Sequence, residues 1–227
     1  ENSFHGRTLA TLTATGNAKV QEGFGPLVQG FVRVPHDDIA AIERVAAENP
    51  DIVAILVEPI QGESGVRMPK GGFGSLKQLR EVCDKHDWLL MLDEIQTGNG
   101  RTGKYFAYQH AGILPDVLST AKGLGNGFPI GAIAIAPQFK ASFGLLGTTF
   151  GGNHLACAAA LAVLEVMEEE KLMGNAVMIG KYLREELEKI EELENVRGRG
   201  LMIGFDVPEE YKDLKKNLLL NQKIFTG

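Results

Sequence analysis

The sequence predicts an α/β fold, with a mainly parallel sheet flanked by helices and a smaller α+β C-terminal domain. Short apolar runs alternate with helical patterns from residue 52 onward, which is typical of β-α-β units. After Gly152 the pattern changes to long amphipathic helices. The 227 residues, 44% of them hydrophobic, are enough for one large domain or a domain and a half.

The apolar runs place the first elements of the sheet. The strand candidates and the helix candidate between the first two are 52–60, 75–86 (helix), 88–92, 116–121 and 131–136. Three of these strands lead to polar groups, namely Glu58, Asp93 and Lys122. Because ligands of open α/β sheets bind at the carboxyl ends of strands, we expect these groups to converge.

The C-terminal part is predicted to be mostly helical. Asn153 is a candidate cap for a first helix, and a second follows with apolar residues on one face from Ala176 to Ile190. A strand at 201–205 and a helix at 209–221 complete the pattern. We therefore assign residues 1–164 to part of a large domain, and residues 165–227 to a connecting helix and an incomplete small domain.

Composition narrows the function classes. The net charge of −6 argues against nucleic acid or an anionic membrane as the main partner, and no apolar stretch has transmembrane length. Cys83 and Cys157 lie in apolar helical patterns, which favours buried thiols in a reducing compartment such as the cytoplasm. With no cysteine or histidine at ligand spacing, we expect no metal site.

Lys122 is the strongest candidate for covalent chemistry. It follows a strand and opens the glycine-rich turn 123–127, where partial desolvation would favour a neutral, nucleophilic amine. Asp93 precedes it by about one β-α-β crossover. This pair suits pyridoxal phosphate, whose aldehyde needs an amine and whose ring nitrogen needs a carboxylate. A solvated lysine and a structural ion pair are the alternatives from spacing alone.

Two glycine-rich segments carry weaker signals. Residues 98–103 match Gly-x-Gly-x-x-Gly, but they do not join a strand directly to a helix, so nicotinamide binding is not expected and a loop at the active site is favoured. Thr148 and Thr149 precede a helix N-terminus, which predicts either an anion site or a capped glycine turn.

Five motifs together resemble the class III pyridoxal phosphate-dependent aminotransferases. They occur in order along the chain, at 3–8, 58–65, 93–98, 122–123 and 149–152. The resemblance implies the fold-type I transferase architecture and pyridoxal 5′-phosphate as cofactor. Residues 4–7 look most like the branch that acts on N-acetylornithine.

The resemblance also implies roles for individual residues around the cofactor. Lys122 would form the Schiff base with the cofactor and shuttle the proton. Asp93 would hold the ring nitrogen, Gln96 would contact the ring hydroxyl, and Phe4 would stack on the ring. Thr149 would bind the phosphate of the neighbouring subunit's cofactor, which implies a homodimer with shared active sites.

The resemblance implies roles for three further residues: two that bind substrate and one that supports Asp93. Arg7 would hold the substrate α-carboxylate, and Glu63 would be a switch that pairs with an arginine when an ω-amine binds. Glu58 would support Asp93 from behind. In the family, a phosphate-binding segment would precede Glu1 and the arginine partner would follow the last residue. We therefore expect a chain truncated at both ends, whose own competence stays open.

The expected reaction moves the terminal amino group of N-acetylornithine to 2-oxoglutarate, as in arginine biosynthesis in the cytoplasm. N-succinylornithine, ornithine or 4-aminobutyrate are alternative donors, since acyl-group pockets depend on loops that the motifs do not define. A glutamate-1-semialdehyde aminomutase, a cofactor-free Schiff-base aldolase and an inactive fragment also stay open.

Overall fold

The computed structural model describes all 227 residues, which form a four-stranded sheet and a separate two-stranded sheet. The strands are β1 (Ala54–Val57), β2 (Leu89–Asp93), β3 (Val117–Thr120), β4 (Ala132–Ile135), β5 (Glu194–Arg199) and β6 (Met202–Asp206). The helices are α1 (Leu9–Ala14), α2 (Ala18–Gln21), α3 (Ile39–Glu48), α4 (Gly74–His86), α5 (His154–Glu169), α6 (Leu172–Leu187) and α7 (Leu214–Asn217). No helix is both long and apolar enough to cross a membrane.

The large sheet confirms the prediction of a mainly parallel arrangement. Its order is β1-β2-β3-β4, and the first three strands are parallel. Strand β4 is antiparallel to β3, because the short connection through residues 121–131 contains no helical crossover that could return the chain to a parallel start. The register pairs Asp93 with Ser119, so the carboxyl ends of β2 and β3 are adjacent.

The core forms where α4 covers the sheet. Apolar residues at three- and four-residue spacing give this helix one buried face. The main cluster contains Ile42, Leu76, Leu79, Val82, Cys83, Trp88, Leu90, Leu92 and Ala111. The helix ends at Asp87, which is left-handed with φ 56°, and Trp88 N then donates to Cys83 O at 2.8 Å. This tight exit starts β2 directly and fixes the strand that carries Asp93.

The C-terminal helices support a β-hairpin made of β5 and β6. Asn153 caps α5, since its side chain accepts a hydrogen bond from Ala156 N at 2.9 Å, as predicted. Helix α6 approaches the hairpin so closely at Gly180 that a Cβ there would lie 2.0 Å from Gly200 O. Leu201 N in turn donates to Arg101 O at 3.0 Å. The turn between β5 and β6 is therefore packed between α6 and residues 98–103.

One element prediction was wrong in detail, and one strand was not predicted. Residues 209–221 form a 3-10 turn (Glu209–Tyr211), the short α7 and a π-helical turn (Leu218–Gln222) instead of one helix. The consecutive leucines 218–220 do not fall on one helical face, which weakens a single amphipathic helix. Strand β5 was not predicted, because its glycine and arginines lack apolar alternation. In the structure a register shift interrupts its pairing with β6.

Candidate active site

Lys122 lies directly beyond the end of β3, at the first position of a 3-10 turn (Lys122–Leu124). Its φ of 45° is left-handed, an uncommon conformation for lysine that the surrounding contacts must hold. The side-chain amide of Asn99 donates to Thr120 Oγ1 at 3.1 Å and to Ala121 O at 3.0 Å. The loop 98–103 is thereby fastened to the backbone just before Lys122.

A cavity of about 290 Å³ opens beside Lys122. Its wall combines the loops after β1 and β2, the turn after β3, and the hairpin of β5 and β6. The lining residues are Val66, Ile95, Gln96, Gly98, Asn99, Arg101, Lys122, Gly123, Leu201, Met202 and Ile203. Lys122 is the only lysine among them, so the cavity presents one primary amine to a ligand.

Asp93 ends β2 as a carboxylate that is only 6% exposed. Its Oδ2 lies 2.8 Å from Nδ1 of His5, and its Oδ1 accepts from Ile95 N at 3.2 Å and from Ser119 Oγ at 3.3 Å. His5 is itself buried, and its backbone N donates to Thr15 Oγ1 at 2.9 Å. These contacts fix the orientation of Asp93. Sequence reasoning missed His5, because only the tertiary fold brings it to β2.

Glu58 follows β1 and is also buried. It accepts hydrogen bonds from Phe4 N at 2.8 Å and from Gly62 N at 3.1 Å, so its hydrogen bonds go to two backbone segments and not to Asp93. Burial is the largest influence on Glu58 and raises the pKa of its carboxyl group, against the two backbone donors. Its geometric effect is to place the backbone of Phe4 at the strand ends.

Phe4 and Arg7 form a small contact of their own. The Arg7 guanidinium carbon lies 5.8 Å from the centre of the Phe4 ring, within range of a cation-π interaction. Arg7 is exposed, and neither residue lines the cavity at Lys122. The structure thus links Phe4 to Glu58 through the backbone and leaves the Arg7 side chain free to meet a solute.

Gln96 and Glu63 are joined at the cavity mouth. Gln96 Nε2 donates to Glu63 Oε1 at 2.9 Å, and Gln96 lines the cavity. Gly62 permits this approach, because a Cβ on it would lie 2.1 Å from Gln96 Oε1. The loop after β1 and the loop after β2 are therefore in direct contact.

Glu94 is a second residue that sequence reasoning missed. It is fully buried and accepts hydrogen bonds from the Thr97 hydroxyl, from Ala107 N at 2.9 Å and from Tyr108 N at 2.8 Å. Burial is the largest influence and raises its carboxyl pKa above the ordinary 4.5. Glu94 ties the loop that carries Gln96 to the turn at 107–110. The only sequence signal for Glu94 is that a charged residue directly follows an apolar strand.

Thr149 stays apart from these residues. It is exposed in a segment just before α5 and does not line the cavity. The neighbouring Thr148 Oγ1 accepts from Gly151 N at 3.2 Å, and Asn153 caps the helix. The capped glycine turn is thus present, with Thr149 exposed beside it.

Comparison with known proteins identifies the family. The class III aminotransferase family model matches residues 1–224. The chain belongs to the class III aminotransferase family. The resemblance carried by the five motifs is therefore confirmed.

Individual class III aminotransferases agree with this assignment. The chain is 51% identical to acetylornithine aminotransferase of Nitrosomonas europaea, over 97% of this chain and 58% of that protein. It is 48% identical to acetylornithine aminotransferase 1 of Bordetella pertussis, over 91% of this chain and 54% of that protein. The chain thus spans little more than half the length of these relatives.

Solved structures of the family show the same fold. The ornithine aminotransferase of Toxoplasma gondii superposes with a TM-score of 0.88 at 35% identity, over 98% of this chain and 54% of that one. An omega-transaminase from Thermomicrobium roseum gives a TM-score of 0.87 at 31% identity, over 98% of this chain and 58% of that one. The architecture expected of the family is therefore confirmed for the described residues.

Proposed function

We propose that this protein is a pyridoxal phosphate-dependent aminotransferase that moves the terminal amino group of N-acetylornithine to 2-oxoglutarate. The observation that carries the proposal is the placement of Lys122, the one amine of the cavity, beside the strand end that holds the buried Asp93. The choice of donor is supported by the 46–51% identity to proteins named acetylornithine aminotransferase. Because the chain spans little more than half their length, the activity is proposed for the whole protein.

The residues present fit a pyridoxal phosphate group. An aldehyde requires a primary amine, a pyridine nitrogen requires a buried carboxylate, and a ring hydroxyl requires a polar partner. Lys122 and Gln96 supply two of these groups from the lining of the cavity. Asp93, which does not line the cavity, supplies the third from the end of β2, the strand beside β3. The cavity of about 290 Å³ is close to the lower limit of small-molecule sites, about 300 Å³.

When bound, the group would supply an electrophilic carbon and a protonated ring that withdraws electrons from the substrate carbon. The protein residues bind, orient and move protons around it. Lys122 Nζ would anchor the cofactor covalently and, once released from it, would carry a proton to and from the carbon that exchanges its amino group. Asp93 would be the carboxylate partner of the ring nitrogen, and His5 on its Oδ2 side fixes that carboxylate in place.

Substrate recognition is proposed to use the residues at the cavity mouth and on the N-terminal segment. The planar fork of Arg7 suits a carboxylate, and the Phe4 ring beside it suits the flat face of the cofactor. Glu63, held by Gln96, places a negative charge near the donor. Glu58 supports the site through the backbone of Phe4.

We also propose that two subunits share their active sites. The Thr149 hydroxyl and the N-terminus of α5 are exposed, so they are free to bind the phosphate held by a second copy. Residues 1–164 are proposed as part of the cofactor-binding domain, and residues 165–227 as the connecting helix and part of the small domain. The pathway is proposed to be arginine biosynthesis in the cytoplasm.

Transfer assays test the donor. The natural protein, loaded with pyridoxal phosphate and supplied with 2-oxoglutarate, should form glutamate with the highest kcat/KM on N-acetylornithine. N-succinylornithine, ornithine and 4-aminobutyrate serve as competing donors. A higher kcat/KM on ornithine would make the protein an ornithine aminotransferase. Turnover of glutamate 1-semialdehyde without 2-oxoglutarate would make it an aminomutase, and no transfer from any of these amines would overturn the proposal.

A further inference from the structure

The guanidinium of Arg197 joins strand β5 to the loop that carries Glu63. Its Nε and Nη2 both donate to Gly65 O, at 3.0 and 2.6 Å. Nη2 also donates to Asp206 Oδ1 at 2.8 Å, and Nη1 donates to Asn195 O at 2.9 Å. Since every guanidinium nitrogen is engaged, the side chain is held in one orientation. Arg197 therefore connects two segments that are far apart in the chain.

The loop at residues 62–66, which we call the Glu63 loop, needs such an external contact. Gly65 N and Val66 N both donate to Gly62 O at 3.2 Å, which closes a tight turn. Val66 has a φ of 53°, a left-handed conformation that is strongly disfavoured for a β-branched residue. A strained conformation persists only where its surroundings hold it. The bonds from Arg197 to the adjacent carbonyl supply part of that constraint.

The hairpin also packs directly on the Glu63 loop. A Cβ on Gly204 would lie 2.9 Å from Val66 Cβ and 3.1 Å from Gly65 O, so the glycine allows close approach. Val66 and the hairpin residues Met202 and Ile203 line the same cavity as Lys122. The hairpin therefore contacts the Glu63 loop directly at the wall of the cavity, and the position of one constrains the position of the other.

Glu63 is the group whose position depends on this contact. Its carboxylate accepts from Gln96 Nε2 at 2.9 Å, and Gln96 lines the cavity. In the proposed reaction the ω-amine donor carries one carboxylate, whereas glutamate and 2-oxoglutarate carry two. A negative charge on Glu63, beside the cavity-lining Gln96, would oppose the second carboxylate more than the first and would thus discriminate between the donors.

We propose that Arg197 is a positioning residue that holds the Glu63 loop and thereby sets the preference between the ω-amine donor and glutamate. The inference rests on the proposed function for its substrate classes. It concerns the location of Glu63 and leaves the chemistry at Lys122 unchanged.

Two measurements on the cofactor-loaded natural protein test this role. The first is hydrogen–deuterium exchange of the backbone amides at 62–67, without substrate. The second is the ratio of kcat/KM for N-acetylornithine to kcat/KM for glutamate, from the two separate half-reactions. Arg197→Met is the main variant. Arg197→Lys retains the positive charge but lacks the planar guanidinium that donates several hydrogen bonds at once. Arg199→Met, at an exposed position of the same strand, is the matched control because no hydrogen bond joins Arg199 to the loop.

In Arg197→Met we expect exchange at 62–67 to become about 10-fold faster or more, because local opening is easier once the anchor is lost. The kcat/KM ratio should shift toward glutamate by about 5-fold or more, since discrimination is a difference of two transition-state energies. Arg197→Lys should lie between Met and the wild type, and Arg199→Met should match the wild type. If Arg197→Met does not fold, the two measurements on Arg197→Lys decide.

Unchanged exchange at 62–67 would overturn the inference, and so would an equal change in both half-reactions. Failure of the proposed function would look different. The wild-type protein would then not react with N-acetylornithine, while the loop would still exchange faster in Arg197→Met.

Discussion

At the level of single residues, the carboxylates at the strand ends are each held by two or more hydrogen-bond partners. The sequence predicted the place of Asp93 because an apolar run led directly to it. Its contact with His5 was not predictable, since it depends on how residues 1–15 fold back over β2. Glu94 was missed for a similar reason, because its backbone donors at 107 and 108 come from a distant turn.

Replacing Asp93 by Asn tests its proposed electrostatic role. An amide has nearly the same shape but no charge to hold a proton on the ring nitrogen, so transfer should be slower by on the order of 100-fold or more. Rates of the half-reaction with N-acetylornithine measure the effect. A variant that keeps the wild-type rate would contradict the role of Asp93, whereas unfolding of the variant would show as a lost circular-dichroism signal.

The buried carboxyl group of Glu94 predicts a pH dependence of stability. Its pKa is raised in the folded protein, so its protonated form stabilises the fold below the unfolded value of 4.5. That contribution is lost as the pH rises through the folded pKa. The penalty of Glu94→Gln, measured by urea unfolding, should therefore be larger at pH 4 than at pH 8.

Glu81→Gln, at an exposed site on α4, controls for the loss of one carboxylate. A Glu94→Gln penalty that grows with pH would show that Glu94 is stabilised as the charged form.

At the level of elements, apolar periodicity predicted the helix that buries one face of its own. It did not predict the strand that is held in place by contacts with other elements. Helix α4 was predicted at 75–86 because its apolar spacing matches the face it buries, and it forms at Gly74–His86. Strand β5 has no such pattern. It is held by pairing with β6, by the bond from its own Arg197 to Asp206 of β6, and by contacts with α6. The broken helix at 209–221 shows that helical composition without one continuous apolar face does not produce one continuous helix.

The capping residue of α5 gives a prediction at this level. Asn153→Ala removes the side-chain acceptor for Ala156 N and should reduce the free energy of unfolding by about 0.5–2 kcal/mol. Asn153→Asp keeps an acceptor oxygen and should stay close to the wild type. Thermal unfolding followed by circular dichroism distinguishes them. Equal melting temperatures for all three proteins would mean that the cap does not contribute.

At the level of the whole molecule, the site is assembled from the N-terminal segment, the segments that follow β1, β2 and β3, and the hairpin of β5 and β6. The adjacency of the strand ends that lead to Glu58, Asp93 and Lys122 followed from the parallel sheet and was predictable. The contribution of the hairpin to the cavity wall was not, because it depends on contacts between residues about a hundred positions apart. Leu201 N to Arg101 O is one such contact.

Gly200 should therefore tolerate no side chain. Its φ is 59°, and a Cβ would lie 2.6 Å from Arg101 O, so Gly200→Ala should cost more than about 1 kcal/mol of stability. Gly174→Ala is the matched control. It lies in α6 with open space around it and should stabilise the protein by about 0.5–1 kcal/mol. Opposite signs in urea unfolding are expected, and equal effects would refute the tight docking of the hairpin.

The most direct test of the whole account is the chemical identity of the lysine that binds the cofactor. The natural protein is incubated with pyridoxal phosphate, reduced with borohydride, digested and examined by mass spectrometry. The pyridoxyl group should be found on Lys122 and should be absent from that peptide in Lys122→Ala, while Lys104→Ala should label like the wild type. An adduct on another lysine, or none on the wild-type protein, would contradict the central claim.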